Sequence, residues 1–412
     1  MQFPDRIPGA SADNALATLA ARLSAGGTDI INLSDSNPTR QGFAPPDLPG
    51  ALSGAENLVY SPHPRGLPAA RQSLASRFGG SPDDYWLCSS TSEAYSWLFR
   101  LLCSPGDTVL VPKPGYPLFD HLAAIDAVRA QPYRLEYRHP DGWSIDLDNF
   151  EEVAVQSSAR AVVRINPNNP TGSYIHPGDR DAIAALCARL GMAIIADEGF
   201  FPYLVEGAGG HAAVDSQATA ADGHTVAGNH AAASRIAGED RCLTFALDGM
   251  SKLMGLPQLK LGWIRLSGPA RDVEDAARRL DIIADAFLSA GAPAMNALRL
   301  LLPDADRYAG QVQARLQRNL ASLRARFCGP DSPYRVLRGE GGWTALLEYP
   351  RHRDEEATVL GILESEHVLV QPGYFFDMER DGYLAISLIL EPARFDEAIS
   401  RLGRFIDSSL AR

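Results

Sequence analysis

Five short apolar runs separated by stretches of helical periodicity restrict this chain more than any other feature of its sequence. They are Thr108–Pro112, Ala161–Ile165, Met192–Asp197, Cys242–Leu247 and Leu261–Arg265, bounded mostly by Gly, Pro, Asn or Asp. Runs this short and this uniformly apolar suit strands covered on both faces, and strands alternating with helices close into a mostly parallel sheet. The intervening helices are legible by spacing. Ser92–Cys103 puts Ala94, Trp97, Leu98, Leu101 and Leu102 on one face, and Asp181–Leu190 does the same with Ile183, Leu186, Cys187 and Leu190.

Downstream the pattern changes. From Asp272 to Phe327 the chain reads as helices broken near Pro293 and Pro303. Short strands follow around Ala345–Leu347, Val368–Val370 and Leu384–Leu388, with helices near Glu355–Glu364 and Pro392–Ile406. This is the pattern of a smaller α+β domain. A chain of 412 residues is too long for one core. The expected division is an N-terminal arm joined to part of the small domain (1–50), a large domain (51–295) and the small C-terminal domain (296–412). Gly207 to Asp240, rich in Ala, Gly and His without apolar periodicity, reads as a mobile surface insertion. No internal repeat is present.

The formal net charge of -12 argues against a nucleic-acid or anionic-membrane partner, since either rewards excess Lys and Arg. A local patch for a small anion remains compatible with it. The amino-terminal stretch MQFPDRIPGASADNALATLAARL has no apolar run long enough for a signal peptide or a membrane span. Cys88, Cys103, Cys187, Cys242 and Cys328 are odd in number and far apart, the usage of buried free thiols in a reducing cytosol. A cytoplasmic protein is therefore expected. No metal site is expected either: the nine His lack ligand spacing, and Glu364, Glu366 and His367 read as a solvated helix end.

Four stretches carry chemistry. Ile165-Asn166-Pro167-Asn168-Asn169-Pro170-Thr171-Gly172 follows a strand. It is a tight turn in composition, and a loop at a carboxyl strand end, where α/β sheets place ligands. Ala193-Ile194-Ile195-Ala196-Asp197-Glu198 closes an apolar strand with an acid, which needs a helix cap or a cationic ligand to satisfy it. Asp248-Gly249-Met250-Ser251-Lys252 puts a lysine at another strand exit, where desolvation makes a neutral amine accessible for imine chemistry. Ser89-Ser90-Thr91-Ser92-Glu93 opens the first helix as a cap, or as a cradle for an anion. Together they supply an amine, a carboxylate for a pyridine nitrogen and a phosphate cradle, the parts a protein gives pyridoxal 5'-phosphate (PLP).

In order and spacing, Asn169-Pro170-Thr171-Gly172, Asp197-Glu198 and Ser251-Lys252 resemble the class I/II aminotransferase family of fold-type I PLP-dependent enzymes. Tyr60-Ser61-Pro62-His63-Pro64-Arg65-Gly66-Leu67 and Pro114-Gly115-Tyr116-Pro117 extend the resemblance, which runs from Asn32-Leu33 to the last helix. It implies an α/β fold-type I architecture whose large domain binds PLP. Lys252 would form the Schiff base and then shuttle the proton. Asp197 would keep the pyridine nitrogen protonated. Asn169 would donate to the ring oxygen, and Tyr116 would stack on the ring. Ser90, Thr91, Ser92, Ser251 and Lys260 would hold the phosphate. Tyr60 would reach the phosphate of a neighbouring subunit, so a homodimer with shared sites is implied.

Four positions depart from the family's pattern. Lys260 stands in place of an arginine on the phosphate, losing the bidentate fork. Gly249 replaces a serine that many members place there, and Phe200 replaces a tyrosine that donates to the ring oxygen, a role that would fall to Tyr203 or a water. Ala385, in Tyr383-Leu384-Ala385-Ile386-Ser387, stands where the family has the arginine for the substrate α-carboxylate. The cations in loops near matching motifs are Arg40, Arg65 and Arg338; failing those, the substrate has no carboxylate at this point. The leading expectation is transfer of an amino group between an amino acid or amine and a keto acid. The alternatives are another PLP reaction on the same scaffold (lyase, decarboxylase or oxidase) and a non-catalytic PLP-binding protein.

Overall fold

The computed structural model of the chain describes residues 6–7, 14–205 and 234–410. Its centre is an eight-stranded sheet: β1 (Tyr85–Cys88), β2 (Thr108–Lys113), β3 (Arg129–Arg138), β4 (Gly142–Ile145), β5 (Ala161–Ile165), β6 (Ala193–Asp197), β7 (Thr244–Gly249) and β8 (Gly262–Ser267). The spatial order is β1-β8-β7-β6-β5-β2-β3-β4. β2, β3, β5, β6 and β7 run parallel; β8 is antiparallel to both of its neighbours, and β4 closes a hairpin with β3.

Every residue of β5 is buried, because helices lie on both faces. One face packs with Trp97, Leu98 and Phe99 of the helix Thr91–Leu102 and Leu280 of Ala270–Phe287. The other packs with Phe150 of Leu147–Ser157 and Ile183 and Cys187 of Pro177–Leu190. All five expected strands are present within two residues of their expected starts. Three strands had no clear signal. The longest, β3, contains Pro132, which normally argues against a sheet interior. β4 pairs with β3 only from Leu135 to Arg138, so Pro132 sits where that edge is unpaired among the described residues.

The smaller sheet has the order β9-β10-β12-β11, all antiparallel, from β9 (Arg335–Val336), β10 (Thr344–Glu348), β11 (Gln371–Pro372) and β12 (Tyr383–Ser387). Ala305–Phe327, Glu355–Glu366 and Pro392–Leu410 cover it. Ile31–Asn32 pairs in parallel with Val368–Leu369 as a separate two-stranded sheet, which fastens the N-terminal arm to the small domain. Asn319, fully buried, donates to the carbonyls of Leu388 and Leu390 at 2.8 Å each and ties the long helix to the end of β12. Near the expected helix breaks, Pro293 lies in the first turn of Ala292–Leu301, and Pro303 lies in the 3-10 turn Leu302–Asp304.

Two expectations are corrected. Residues 207–233 of the proposed insertion lie outside the described residues, but 234–240 is packed rather than exposed throughout. Ser234, Ile236 and Glu239 are buried. The cause is Glu198, whose carboxylate accepts from the Ile236 N–H at 2.7 Å and pairs with Arg235 at 3.0 Å, and Glu239, which pairs with Arg180 and Arg241. The cysteines are all free thiols, but only Cys88, Cys187 and Cys242 are buried; Cys328 is exposed at the end of its helix.

Candidate active site

The carboxyl ends of β5, β6 and β7 open into one cavity of about 320 Å³, the size range of small-ligand sites. Ser90, Thr91, Ser92, Tyr116, Asn169, Asp197, Ser251 and Lys252 all line it. Residues from five separated stretches of sequence meet there because parallel strands end together.

Lys252 lies in the helical turn Met250–Leu253, directly after β7. Burial lowers the affinity of its amine for a proton, and the charge of Asp197 partly opposes this. Its Nζ lies 5.0 Å from the ring centre of Trp343 and 5.3 Å from that of Phe200. Asp197 ends β6. Burial raises its pKa, opposed by the Gly199 N–H (3.1 Å), the Tyr95 hydroxyl (3.1 Å) and the Lys252 charge. The acid is thus braced as an anion by three separate groups.

The helix Thr91–Leu102 starts in the cavity wall. Ser90 Oγ caps it by accepting from the Glu93 N–H at 3.2 Å, while the Glu93 carboxylate reaches back to the Ser89 N–H at 2.7 Å. Thr91 and Ser92 therefore stand at the positive end of this helix, and Ser251 lines the same cavity. Close approach of three segments shapes this corner. A Cβ on Gly262 would come within 3.2 Å of the Ser90 and Asp248 backbones, and one on Gly249 within 3.0 Å of the Leu261 carbonyl. Gly249 thus stands where many family members have serine because the backbones meet there. Asp248, buried behind this corner, accepts from the Gly249 N–H at 2.6 Å. Burial pushes its carboxyl up to about 8.

Other expected site residues lie elsewhere. Tyr60 is 81% exposed, and Lys260 is exposed in a left-handed turn. None of the candidate carboxylate partners lines the cavity. Arg40, itself exposed, ends the 3-10 turn Pro38–Arg40. Arg65 is held by Asp281 through two bonds of 2.6 Å and lies over the Trp86 ring. In the loop before β10, the Arg338 backbone N–H donates to the Tyr137 hydroxyl oxygen at 3.1 Å. Among the described residues, Lys252 is the cation in the lining. Ala385 is buried with Leu337, Leu346, Phe376 and Tyr383 in an apolar cluster. Tyr203 is fully buried and donates its hydroxyl to the Lys252 main-chain carbonyl, so it fixes the lysine's backbone and does not stand in for the hydroxyl absent at Phe200.

Four residues of the lining whose side chains can hydrogen-bond had not been anticipated: Ser36, Tyr95, Trp343 and Thr344. Tyr95 had no place in the sequence reading of this helix, and only the fold turns its hydroxyl onto Asp197. Trp343 follows the Gly339-Glu340-Gly341-Gly342 run, whose glycines were the available signal. A Cβ at Gly341 would overlap Tyr174 and the Tyr203 carbonyl, at 2.6 Å and 2.7 Å, so the loop packs flush against the large domain and carries Trp343 in with it. Thr344 Oγ1 donates to Asn169 Oδ1 at 3.3 Å, joining the small domain to the Asn-Pro-Thr-Gly loop.

An amine of lowered basicity, a braced carboxylate, an aromatic face at Tyr116 and hydroxyls at a helix start fit PLP by the chemistry of the donor set. The hydroxyls would meet the phosphate of that cofactor, Asp197 its ring nitrogen and Lys252 its aldehyde.

The model of the family "Aminotransferase class I and II" matches residues 28–402. The alanine aminotransferase of Mycobacterium tuberculosis is 27% identical over 412 aligned residues, covering 94% of this chain and 88% of that one. The glutamate-pyruvate aminotransferase AlaA of Haemophilus influenzae is 26% identical, covering 94% and 93%. Among solved structures, an alanine aminotransferase from Pyrococcus furiosus superposes with a TM-score of 0.83 at 21% identity over 99% of this chain and 100% of its own. An aspartate aminotransferase from Thermotoga maritima superposes at 0.76 and 20% identity, covering 98% and 100%.

Proposed function

This chain belongs to the class I and II aminotransferase family, and from that premise we propose that it moves an amino group between an amino acid or amine and a keto acid, using PLP bonded to Lys252. The observation that carries the assignment is the meeting of Lys252, Asp197 and the hydroxyl-bearing start of the helix Thr91–Leu102 in one cavity.

Bound PLP supplies an electron sink that stabilises negative charge at the substrate carbon bearing the amine. The chain's own residues do the rest. Lys252, its basicity lowered by burial, presents a neutral amine as nucleophile, and the same amine then holds or returns the proton of the substrate carbon. Asp197, whose carboxylate Tyr95 and Gly199 hold in place, would keep a proton on the ring nitrogen. Ser90, Thr91, Ser92 and Ser251 would donate to the phosphate, Asn169 would donate to the ring oxygen, and Tyr116 would cover one ring face. Lys260, exposed and outside the cavity lining, would act on the phosphate only through its charge at a distance. Phe200 and Trp343 exclude water from the side on which Lys252 works.

A homodimer completes this reading. Leu58, Val59 and Tyr60 are 89%, 63% and 81% exposed, a strap of apolar side chains that suits a partner subunit better than water. Tyr60 would then reach the partner's phosphate. The domain division at residues 50 and 295 and a cytosolic location, which five unpaired thiols favour, belong to the same proposal.

The test is chemical trapping. Protein mixed with PLP is reduced with borohydride, digested and weighed by mass spectrometry. The cofactor mass is expected on the peptide containing Lys252, and Lys252→Ala should lose both this adduct and the visible absorbance. An adduct on another lysine, or a variant with an unchanged spectrum, refutes the assignment. With the cofactor in place, an amino donor should yield its carbonyl product in equal amount to cofactor converted.

A further inference from the structure

Lys252 Nζ sits in an aromatic corner. It lies 5.0 Å from the ring centre of Trp343 and 5.3 Å from that of Phe200. Those two centres are 5.4 Å apart, with their planes at 72°. The three points make a nearly equilateral triangle, so one nitrogen stands over two ring faces at once. The corner is fixed from behind. Trp343 is 2% exposed and packs against Tyr203 at 5.2 Å, and Phe200 packs against the small-domain core. A ring face carries partial negative charge and attracts a cation within about 6 Å of its centre, most strongly where water is excluded.

With PLP bonded to Lys252, this same nitrogen is the imine nitrogen, and its proton is the charge at issue. For the free amine, loss of water outweighs the rings, and burial holds Lys252 below its ordinary value. The imine differs. The cofactor's ring oxygen carries the balancing negative charge, so the pair is buried without net charge and costs far less to desolvate. The two ring faces then favour the protonated form. Asp197 adds to this, since its charge also favours a proton on Lys252. Tyr95 and Tyr116 are the other titratable groups of the lining, and no second cation lines it among the described residues. Behind the lysine, Tyr203 is bonded to its main-chain carbonyl, and Asp248 to the Gly249 N–H.

We propose that the Phe200–Trp343 corner holds the imine between PLP and Lys252 in its protonated form through neutral and mildly alkaline pH, so that the amino donor must arrive as a neutral amine. The inference rests on the reading of Lys252 as the PLP lysine and deepens it. A protonated imine is the electrophile when one amine replaces another. The donor nitrogen's lone pair adds to the imine carbon, and the bond from that carbon to the Lys252 nitrogen breaks. The lysine leaves as a neutral amine, carrying the imine's proton and one from the donor, while the donor nitrogen keeps its other proton as the new protonated imine. No base in the lining has to deprotonate the donor, which gives up its ammonium proton to water beforehand.

The test is a spectrum against pH. The PLP-loaded full chain is titrated from about pH 6 to about pH 10, the protonated imine being yellow and the unprotonated one absorbing in the near ultraviolet. The parent is expected to stay yellow to about pH 9. Phe200→Leu and Trp343→Leu keep an apolar side chain without a ring face, and each should lower the midpoint by about one pH unit. Trp343→Phe keeps a face and should stay within about half a unit of the parent. Hydroxylamine, uncharged in this range, gives a second reading by taking the cofactor from Lys252 as an oxime. Its rate should stay level to about pH 9 in the parent and fall about one unit earlier in the leucine variants. A parent imine without its proton at pH 7 overturns the proposal and needs no variant to fold. Leucine variants that titrate with the parent, or a hydroxylamine rate with one pH course in all four proteins, overturn it as well. Cofactor trapped by borohydride elsewhere than on Lys252 overturns instead the reading beneath it.

Discussion

Asp248→Asn isolates the cost of keeping an acid behind the cofactor corner. The carboxyl ordinarily ionises near 3.8, and burial pushes it up to about 8. Arg235 and the Gly249 N–H pull the other way, and Asp197 and Glu198 add to the rise. The folded state therefore holds a proton that the unfolded chain releases. Below the unfolded value there is no penalty. As pH rises from about 4 to about 8 stability falls by about 1.4 kcal/mol per unit, and above that window the loss levels off. At pH 7 the accumulated penalty is about 4 kcal/mol. Asparagine keeps an oxygen for the Gly249 N–H, found at 2.6 Å in the parent, and does not titrate. The assay is urea unfolding of the cofactor-free protein and the variant at pH 5, 6, 7 and 8, read by circular dichroism. All other titrating groups are common to both proteins. The variant's stability relative to the parent should rise by about 3 kcal/mol between pH 5 and pH 7. Parallel curves over that range would mean that Asp248 is ionised in the fold, and the argument from burial would be wrong.

Two further outcomes follow from the same geometry. Tyr95→Phe removes the 3.1 Å donor on Asp197, so this acid, already raised by burial, ionises at a still higher pH. PLP affinity, followed by fluorescence titration, should weaken about ten-fold and more at pH 6 than at pH 8; equal loss at both pH values would refute the link. Gly255→Ala forces a side chain onto a residue with φ of +63°, with its Cβ only 1.9 Å from the Tyr308 hydroxyl. A loss of about 2–4 kcal/mol is expected in urea unfolding, and a loss under 1 kcal/mol would show that the turn after Lys252 can reshape.

The large-domain sheet was readable because its strands are buried on both faces. β5 and β6 need apolar residues at nearly every position, which makes a strong local signal. β3 alternates in character and holds Pro132, so its place depended on which edge β4 leaves unpaired. The cavity residues at strand ends were readable for a related reason: Asp197 and Lys252 interrupt apolar sequence just where a strand stops. Tyr95 was not, since a tyrosine on an amphipathic helix looks like core until its hydroxyl has a neighbour.

Sequence alone thus determined the alternation of strands and helices, the identity of the amine at 252 and the acid at 197, and the absence of arginine at 385. These are properties of single residues and of local period, which chain order preserves. Only the tertiary structure decided which cations stay out of the cavity, since Arg65 is taken by Asp281, 216 positions away. It likewise committed Tyr203 to the backbone of Lys252. Partnership of a polar group depends on what distant segments bring within 3 Å or so, and local sequence carries no record of that distance.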